Sequence, residues 1–145
     1  MEKSIGLELR SVNNQIKRYL NTLPVFQSNE VSGIYGYVIG YIYRNSDKDV
    51  FQKDIEEEFS IRRSSVTNLL CQMEKYGLIE RLSVSGDGRL KKVVLTKKAV
   101  DMQLEIEQGI AGVEEKLKKG LSDSEQEQLF KLLAKLKSNL TATDN

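Results

Sequence analysis

The chain has 145 residues, of which 39% are hydrophobic and 30% charged, a balance typical of a folded protein. Its longest apolar run, residues 34–43, is shorter than the roughly 20 residues of a membrane-spanning helix. The N-terminus lacks the apolar core of a signal peptide, so a cytoplasmic protein is expected. Histidine is absent and there is one cysteine. These counts exclude an internal disulfide, the common zinc sites and a Ser-His or Cys-His catalytic pair, and no metal or cofactor is predicted.

Positive charge is concentrated in one segment of the chain. Residues 1–61 carry 7 basic and 9 acidic side chains, residues 62–98 carry 9 and 3, and residues 99–145 carry 6 and 9. A cationic segment within an otherwise acidic chain is a candidate surface for phosphate groups. Charge alone leaves open the alternative of a solvated basic surface without a partner.

The first predicted helix covers residues 5–23, where apolar side chains recur at spacings of three and four. It is expected to end before Pro24, because the residue before a proline disfavours the helical conformation. The apolar stripe extends over about five turns, and no neighbouring segment is placed to cover it. A partner helix is therefore expected to pack there.

The second predicted helix covers residues 31–44. An apolar stripe occupies one side, and glycines occupy the other, at Gly33, Gly36 and Gly40. Glycine inside a helix costs about 1 kcal/mol relative to alanine. We therefore expect another backbone to approach closely on that side, so that both sides are buried. Four tyrosines either line a ligand pocket or pack as core and boundary aromatics, namely Tyr35, Tyr37, Tyr41 and Tyr43.

A helix-turn-helix pattern follows. Residues 52–59 are predicted to form a short helix, residues 60–62 a tight turn and residues 63–76 a second helix with an apolar inner side. Gly77 stands where a left-handed residue commonly ends a helix. A short helix, a brief turn and a second helix are typical of this motif.

A basic hairpin is predicted directly after the motif, in the position of a wing. Its strands cover residues 78–84 and 90–95, joined by a turn rich in glycine and aspartate over residues 85–89. The cationic segment therefore coincides with a winged helix-turn-helix. Charge and pattern are independent observations, and their agreement favours DNA binding.

Two helices complete the predicted chain. Thr96 is expected to cap a helix over residues 97–119, which ends at Gly120. Ser122 and Glu125 have the spacing of a capping box, in which two side chains bind free N–H groups at the start of the last helix.

The predicted fold class is mainly α (α+β), a winged helix-turn-helix core with a two-stranded wing and terminal dimerisation helices. The domain boundaries place an N-terminal dimerisation helix in residues 1–30, the DNA-binding core in residues 31–98, C-terminal dimerisation helices in residues 99–140 and a frayed tail in residues 141–145. The terminal helices expose apolar stripes that a core of about 70 residues cannot cover alone. A homodimer is therefore predicted.

The outward side of the second motif helix carries short hydroxyl and amide side chains that fit a major groove. Such groups bind phosphates and base edges, and Arg62 and Arg63 at the helix start are expected to reach phosphates or a guanine. The further predicted contacts are Ser64, Ser65, Thr67, Asn68, Gln72 and Lys75. Glu74 is the one carboxylate, near the edge of this face. The alternative is an ordinary solvated helix face.

The turn of the wing contains Asp87 and Arg89. At a hairpin tip, an aspartate can hydrogen-bond an arginine and hold it extended, and arginine favours the negative potential of a narrow minor groove. Lys91 on the following strand is a third predicted DNA contact, and Lys92 comes next. The alternative is a surface ion pair of little energetic value.

Residues 55–99 resemble the winged core of the MarR-type (multiple antibiotic resistance regulator) transcriptional regulators. The segments that carry the resemblance are Gln52-Lys53-Asp54-Ile55, Arg63-Ser64-Ser65-Val66-Thr67, Met73-Glu74-Lys75-Tyr76-Gly77-Leu78-Ile79-Glu80-Arg81, Asp87-Gly88-Arg89-Leu90-Lys91 and Leu95-Thr96. The helices before and after the core also fit the family in number and order.

The resemblance implies a homodimer joined by the first and last helices. It implies a recognition helix, Ser64 to Gln72, in the major groove and a wing arginine, Arg89, in the minor groove. Two-fold symmetry predicts a palindromic operator with half-sites one DNA turn apart. The family implies a repressor that a small phenolic or anionic effector releases from DNA. The junction of the first, second and fifth predicted helices is the expected place for that effector.

Cys71 falls on the groove side of the recognition helix. Its alkylation or oxidation would block DNA entry by bulk. The alternative is a tolerated small residue, because no clustered basic group is expected to activate the thiol. Some family members sense oxidants through a cysteine near the first helix, and this chain has none there.

The sequence leaves three rival functions to consider. A winged-helix module that binds protein partners without DNA is the main alternative, and the charge of the groove face argues against it. An enzyme is not predicted, because the consecutive Glu56, Glu57 and Glu58 point in different directions on a helix. The wing and the glycine-rich helix argue against a coiled-coil structural protein.

Overall fold

The computed structural model describes residues 2–27 and 31–141, apart from the side chain of Asp87. Within these ranges the elements are α1 (Ile5–Leu20), α2 (Pro24–Gln27), α3 (Gly33–Arg44), α4 (Gln52–Phe59), α5 (Arg63–Lys75), β1 (Ile79–Val84), β2 (Asp87–Leu95), α6 (Lys97–Lys118) and α7 (Asp123–Thr141). The chain divides into two units, residues 1–111 and 112–145, with the boundary inside α6. No helix in the described ranges has the length and apolar character needed to cross a membrane.

The helix predicted over residues 5–23 is α1, which ends at Leu20 and so before Pro24, as predicted; a short helix that was not predicted, α2, follows it. α1 ends at Leu20, and the N–H of Leu23 then donates to the Leu20 carbonyl at 3.0 Å in a turn. Pro24 is the first residue of α2. Proline is well tolerated at a first helical position, because the N–H that it lacks would have no partner within the helix. The prediction missed α2 because four residues carry no periodicity.

The glycine side of α3 meets side chains, so the expectation of an approaching backbone is wrong. A Cβ at Gly36 would lie 2.7 Å from the ring of Phe26 and 3.3 Å from Ile106. Phe26, from α2, is only 4% exposed. The glycine therefore makes room for an aromatic ring. Both sides of the helix are nevertheless covered as predicted, since Val38 and Ile39 are fully buried.

The helix-turn-helix agrees with its prediction. α4 has the predicted bounds, and α5 ends one residue earlier than predicted, at Lys75. Ser60 joins them in the left-handed conformation, with a φ of 52°. The inner sides of the two helices form the core of this region, where Ile55, Val66, Leu70 and Met73 are fully buried.

Gly77 ends α5 in the left-handed conformation, with a φ of 73°. The N–H of Leu78 donates to the Met73 carbonyl at 2.9 Å, and the N–H of Gly77 donates to the Glu74 carbonyl at 3.0 Å. These two bonds form a Schellman motif. The motif turns the chain from α5 into β1, and Leu78 is fully buried at the turn.

Gly77→Ala is expected to lower the free energy of unfolding by about 1 kcal/mol, the cost of a positive φ for a residue with a Cβ. A Cβ at this position would meet no atom within 4 Å, so no steric clash contributes. Urea unfolding followed by circular dichroism measures the change. Gly88→Ala is the matched control, since Gly88 is equally open and lacks a positive φ. Equal losses in the two variants would contradict this explanation.

The wing is an antiparallel hairpin with a tighter turn than predicted. Only Ser85 and Gly86 separate the strands, and Gly86 has a φ of 90°. The register is regular from Ile79 opposite Leu95 to Ser83 opposite Lys91, and it then shifts so that Val84 pairs with Asp87. Residues 88–90 fall at this shift. The segment predicted as a turn is therefore mostly the irregular start of β2.

The base of the wing is anchored to neighbouring elements. The N–H of Val93 donates to the Val50 carbonyl at 2.7 Å, so residues 50 and 51 lie along β2. After β2, the hydroxyl of Thr96 accepts the N–H of Ala99 at 3.3 Å, which confirms the predicted cap of α6. The same hydroxyl donates to the Gly77 carbonyl at 2.6 Å and joins the end of the wing to the end of α5.

The second unit contains the end of α6 and the whole of α7. The predicted capping box is confirmed, since the N–H of Glu125 donates to the Ser122 hydroxyl at 3.1 Å and the N–H of Ser122 donates to Glu125 at 3.0 Å. These bonds lower the pKa of the Glu125 carboxyl. Thr141 is the last residue of α7, and the predicted tail residues 142–145 lie outside the described residues.

Candidate nucleic-acid interface

The start of α5 is hydrogen-bonded to α4 through Gln52, a residue outside the predicted set of DNA contacts. The side-chain amide of Gln52 donates to the Thr67 hydroxyl at 2.9 Å and to the Arg63 carbonyl at 3.3 Å. The Thr67 hydroxyl in turn donates to the same carbonyl at 2.9 Å. Gln52 therefore links the start of α4 to the start of α5. Its partners lie across the turn, and sequence spacing does not reveal them.

The predicted contact residues of α5 lie on its exposed face. Those shown as exposed are Arg62, Arg63, Ser64, Ser65, Thr67, Asn68, Gln72 and Lys75. Five of these line a shallow depression at the helix start, namely Arg62, Arg63, Ser64, Thr67 and Asn68. The N-cap residue Arg62 makes no side-chain capping bond. The N–H groups of the first turn therefore lack a side-chain cap, which suits an anion.

Thr67 differs from its neighbours because the protein already uses its hydroxyl. Its proton goes to the Arg63 carbonyl, and one of its lone pairs accepts from Gln52. The hydroxyl retains a free lone pair, and the methyl group is unaffected. The side chain is thus placed to accept one hydrogen bond or to make an apolar contact.

The one carboxylate near this face is paired. Arg81 of β1 donates to Glu74 of α5, with nitrogen and oxygen 3.3 Å apart. The same guanidinium donates to the Cys71 sulfur at 3.3 Å. These two bonds raise the pKa of Arg81, the bond to Cys71 contributing most. The pair reduces the negative charge at the edge of the face and ties the wing to α5.

Cys71 has one basic neighbour that the sequence does not indicate. Arg81 lies within hydrogen-bond distance of its sulfur, and the expectation that no cluster of basic groups activates the thiol stays a prediction. Arg81 comes from β1, and the antiparallel strand after the Gly77 turn carries it back to α5. A pattern within α5 alone does not show this neighbour.

The wing places its cations differently along β2. Arg89 and Lys91 are exposed. Lys92 pairs with Asp49, nitrogen to oxygen 3.4 Å. Successive side chains of a strand point to opposite faces, which explains why neighbouring lysines differ. The side chain of Asp87 lies outside the described residues, so its predicted bond to Arg89 stays a prediction.

The tyrosines of α3 divide between the two interpretations. The ring centroids of Tyr35 and Tyr76 are 6.4 Å apart, and those of Tyr41 and Phe59 are 5.9 Å apart, which are packing contacts. Tyr43 is 45% exposed and lines a cleft of about 390 Å³. Tyr35 and Tyr41 are therefore packing aromatics, and Tyr43 lines a cleft.

Known proteins match the chain in sequence and in structure. The model of the MarR family matches residues 30–90. The transcription regulator MarR from Oenococcus oeni PSU-1 is 31% identical, with a TM-score of 0.79 over 92% of this chain and 98% of that one. The S. aureus MepR–DNA complex is 24% identical, with a TM-score of 0.82 over 97% of this chain and 100% of that one.

A third solved structure has the same fold at lower similarity. The heme sensor protein PefR from Streptococcus agalactiae, in complex with heme, is 24% identical, with a TM-score of 0.65 over 96% of this chain and 95% of that one. These matches confirm the predicted winged helix-turn-helix. The identity to the O. oeni regulator, which extends over nearly all of both chains, decides the family. The chain therefore belongs to the MarR family of transcription regulators.

Proposed function

We propose that two copies of this chain form a homodimer that binds a palindromic DNA operator, represses transcription and is released by a small ligand. The observation that carries DNA binding is the exposed polar face of α5, bordered by a wing with exposed cations. A surface that attracts phosphates supplies affinity for any duplex, and short polar side chains in a groove supply sequence preference.

α5 is the recognition helix and lies in the major groove. Arg62, Arg63 and the first-turn N–H groups bind phosphates, which suits their position at an uncapped helix start. Asn68 and Gln72 follow on the exposed face, and such amides can bind adenine through two hydrogen bonds. Ser64, Ser65 and Lys75 bind the sugar-phosphate backbone of the DNA on either side of these bases.

The wing enters the minor groove beside the recognition helix. Arg89 lies at the register shift near the tip of the hairpin, and Lys91 follows on the same strand. Arginine in a narrow minor groove gains from its negative potential. Asp87 orients Arg89. The fold of MepR, whose structure was solved in complex with DNA, supports this arrangement.

The dimer forms through the terminal helices, in line with the proposed division into residues 1–30, 31–98 and 99–140. α1 exposes Ile5, Leu7, Leu9 and Val12, and α7 exposes Leu129, Phe130, Leu132 and Leu140. Contiguous exposed apolar side chains mark interaction surfaces. Each of these helices packs against the partner copy, and the two recognition helices then lie about 34–36 Å apart, one DNA turn.

Phe130→Asp is expected to weaken the dimer, because this side chain is 63% exposed on α7 and a carboxylate would be buried without a partner on association. Sedimentation equilibrium should show monomer at a concentration, about 1–10 μM, where the unchanged protein is dimeric. Ser138→Asp adds the same negative charge at an exposed polar position of α7 and should leave the dimer intact. A monomeric unchanged protein would contradict the proposed assembly.

Selection of bound duplexes from a random pool tests the proposed function. The expected result is a palindrome whose half-sites are centred about one DNA turn apart, about 10–10.5 base pairs. The rival function, a winged-helix module that binds only proteins, predicts that no duplex is enriched. Enrichment of a single, non-repeated DNA sequence would contradict the dimer but would still show DNA binding.

A further inference from the structure

A cleft at the base of the wing is not part of the proposed DNA surface. Its walls are the end of α3, residues 45–50, the second half of β2 and the start of α6. Its volume is about 390 Å³, within the range of small-molecule sites. None of its lining residues takes part in the contact of α2, α3 and α6, where Phe26 packs against Gly36 and Gly109.

The cleft has an apolar floor and an accessible rim. Ile42, Val50 and Val93 form the floor, and each is at most 4% exposed. Tyr43 and Val100 stand at the rim, where they are 45% and 44% exposed. A ligand that enters would cover exposed apolar surface at the rim and lie against a preformed apolar surface below. These features favour a ligand with an apolar body.

The charges of the cleft favour a ligand with one negative charge. Lys48, Lys92 and Asp49 line it, a net charge of +1. Asp49 pairs with Lys92, and among the described residues no carboxylate pairs with Lys48. A monoanion would bring the site to neutrality, whereas a phosphate monoester would exceed the available positive charge. Because the pair of Asp49 and Lys92 is partly exposed and therefore weak, Lys92 can share a second anion.

We propose that this cleft binds a small aliphatic monocarboxylate, with its carboxylate at Lys48 and Lys92 and its apolar body over Ile42, Val50 and Val93. The volume admits roughly a dozen non-hydrogen atoms at about 30 Å³ each, so the ligand is a single ring or a short chain. The ligand would touch β2, which carries Arg89 and Lys91, and Val50, which precedes α4 by two residues. Ligand binding at this cleft does not require the proposed DNA binding, and it is tested on protein free of DNA.

The probe is cyclohexanecarboxylate, and its neutral isostere cyclohexanecarboxamide is the control ligand. Titration followed by amide NMR shifts should show saturable binding with a Kd of about 1 mM, as befits so small a ligand. The largest shifts are expected at residues 43, 48, 93 and 100. The amide should bind at least about ten-fold more weakly, because it lacks the charge that Lys48 and Lys92 recognise.

Two exposed variants keep the test independent of folding. Lys48→Gln should raise the Kd about ten-fold or more, and Val100→Trp, which fills the rim, should abolish binding. Lys53→Gln, at an exposed lysine of α4 outside the cleft, should bind as the unchanged protein does. Equal binding of acid and amide, shifts centred on Phe26 and Gly109, or no effect of either cleft variant would each overturn the proposal. None of these results would bear on DNA binding.

Discussion

Arg89→Ala should weaken operator binding by about 1–3 kcal/mol for each half-site, the cost typical of a specific contact. The dimer carries two wings, so the loss for the whole complex is about 2–6 kcal/mol if the two contacts are independent. The reason is that Arg89 is exposed near the tip of a hairpin which is fixed to α5 through Arg81 and Thr96. Because the base of the hairpin is fixed, little conformational entropy should be lost when Arg89 enters the proposed position in the minor groove.

Titration of a selected duplex, followed by fluorescence anisotropy at fixed salt, measures this effect. Lys118→Ala removes an exposed cation outside residues 62–98 and is the control. It should leave the affinity within about 0.3 kcal/mol of the unchanged protein. A similarly small change for Arg89→Ala would remove the wing from the mechanism and leave recognition to α5.

Phe26→Ala is expected to have the largest effect on stability, a loss of about 3–5 kcal/mol in the free energy of unfolding. Phe26 is 4% exposed, and its ring fills the space left by two glycines on different helices, Gly36 of α3 and Gly109 of α6. Truncation leaves a cavity at the point where α2, α3 and α6 meet. Urea unfolding at one fixed protein concentration measures the loss, because association adds to apparent stability.

A double-mutant cycle separates this packing from a general loss of hydrophobic surface. Gly36→Ala alone should cost about 1–3 kcal/mol, because its Cβ would lie 2.7 Å from the Phe26 ring. In the Phe26→Ala background, the same change should be neutral or stabilising, because the ring is gone and the methyl group partly refills the cavity. Additive losses would show that the glycine and the ring do not act on each other.

The sequence predicts well those elements whose residues signal them locally. α4 has the predicted bounds, and the ends of α5 and α6 follow from Gly77 and Gly120, both in the left-handed conformation. The capping box of Ser122 and Glu125 is equally local. Periodicity, helix caps and glycine positions depend on neighbours within a few residues, and a sequence contains that information directly.

The features that the sequence did not predict depend on contacts between distant segments. α2 forms because Phe26 packs against glycines of α3 and α6, and its four residues have no pattern of their own. Gln52 and Arg81 take their roles from partners on α5. The predicted DNA contacts of α5 are exposed, as expected, because helical periodicity predicts which side of a helix faces the core.

The salt dependence of binding to the selected operator tests the central claim most directly. Five exposed cations in each copy are proposed DNA contacts, namely Arg62, Arg63, Lys75, Arg89 and Lys91. If all of them bind phosphates, a plot of log K against log salt concentration should fall with a slope of up to about −9 for the dimer, at about −0.9 for each contact. A slope near zero, or no binding to any duplex at low ionic strength, would contradict a cationic winged helix that recognises DNA.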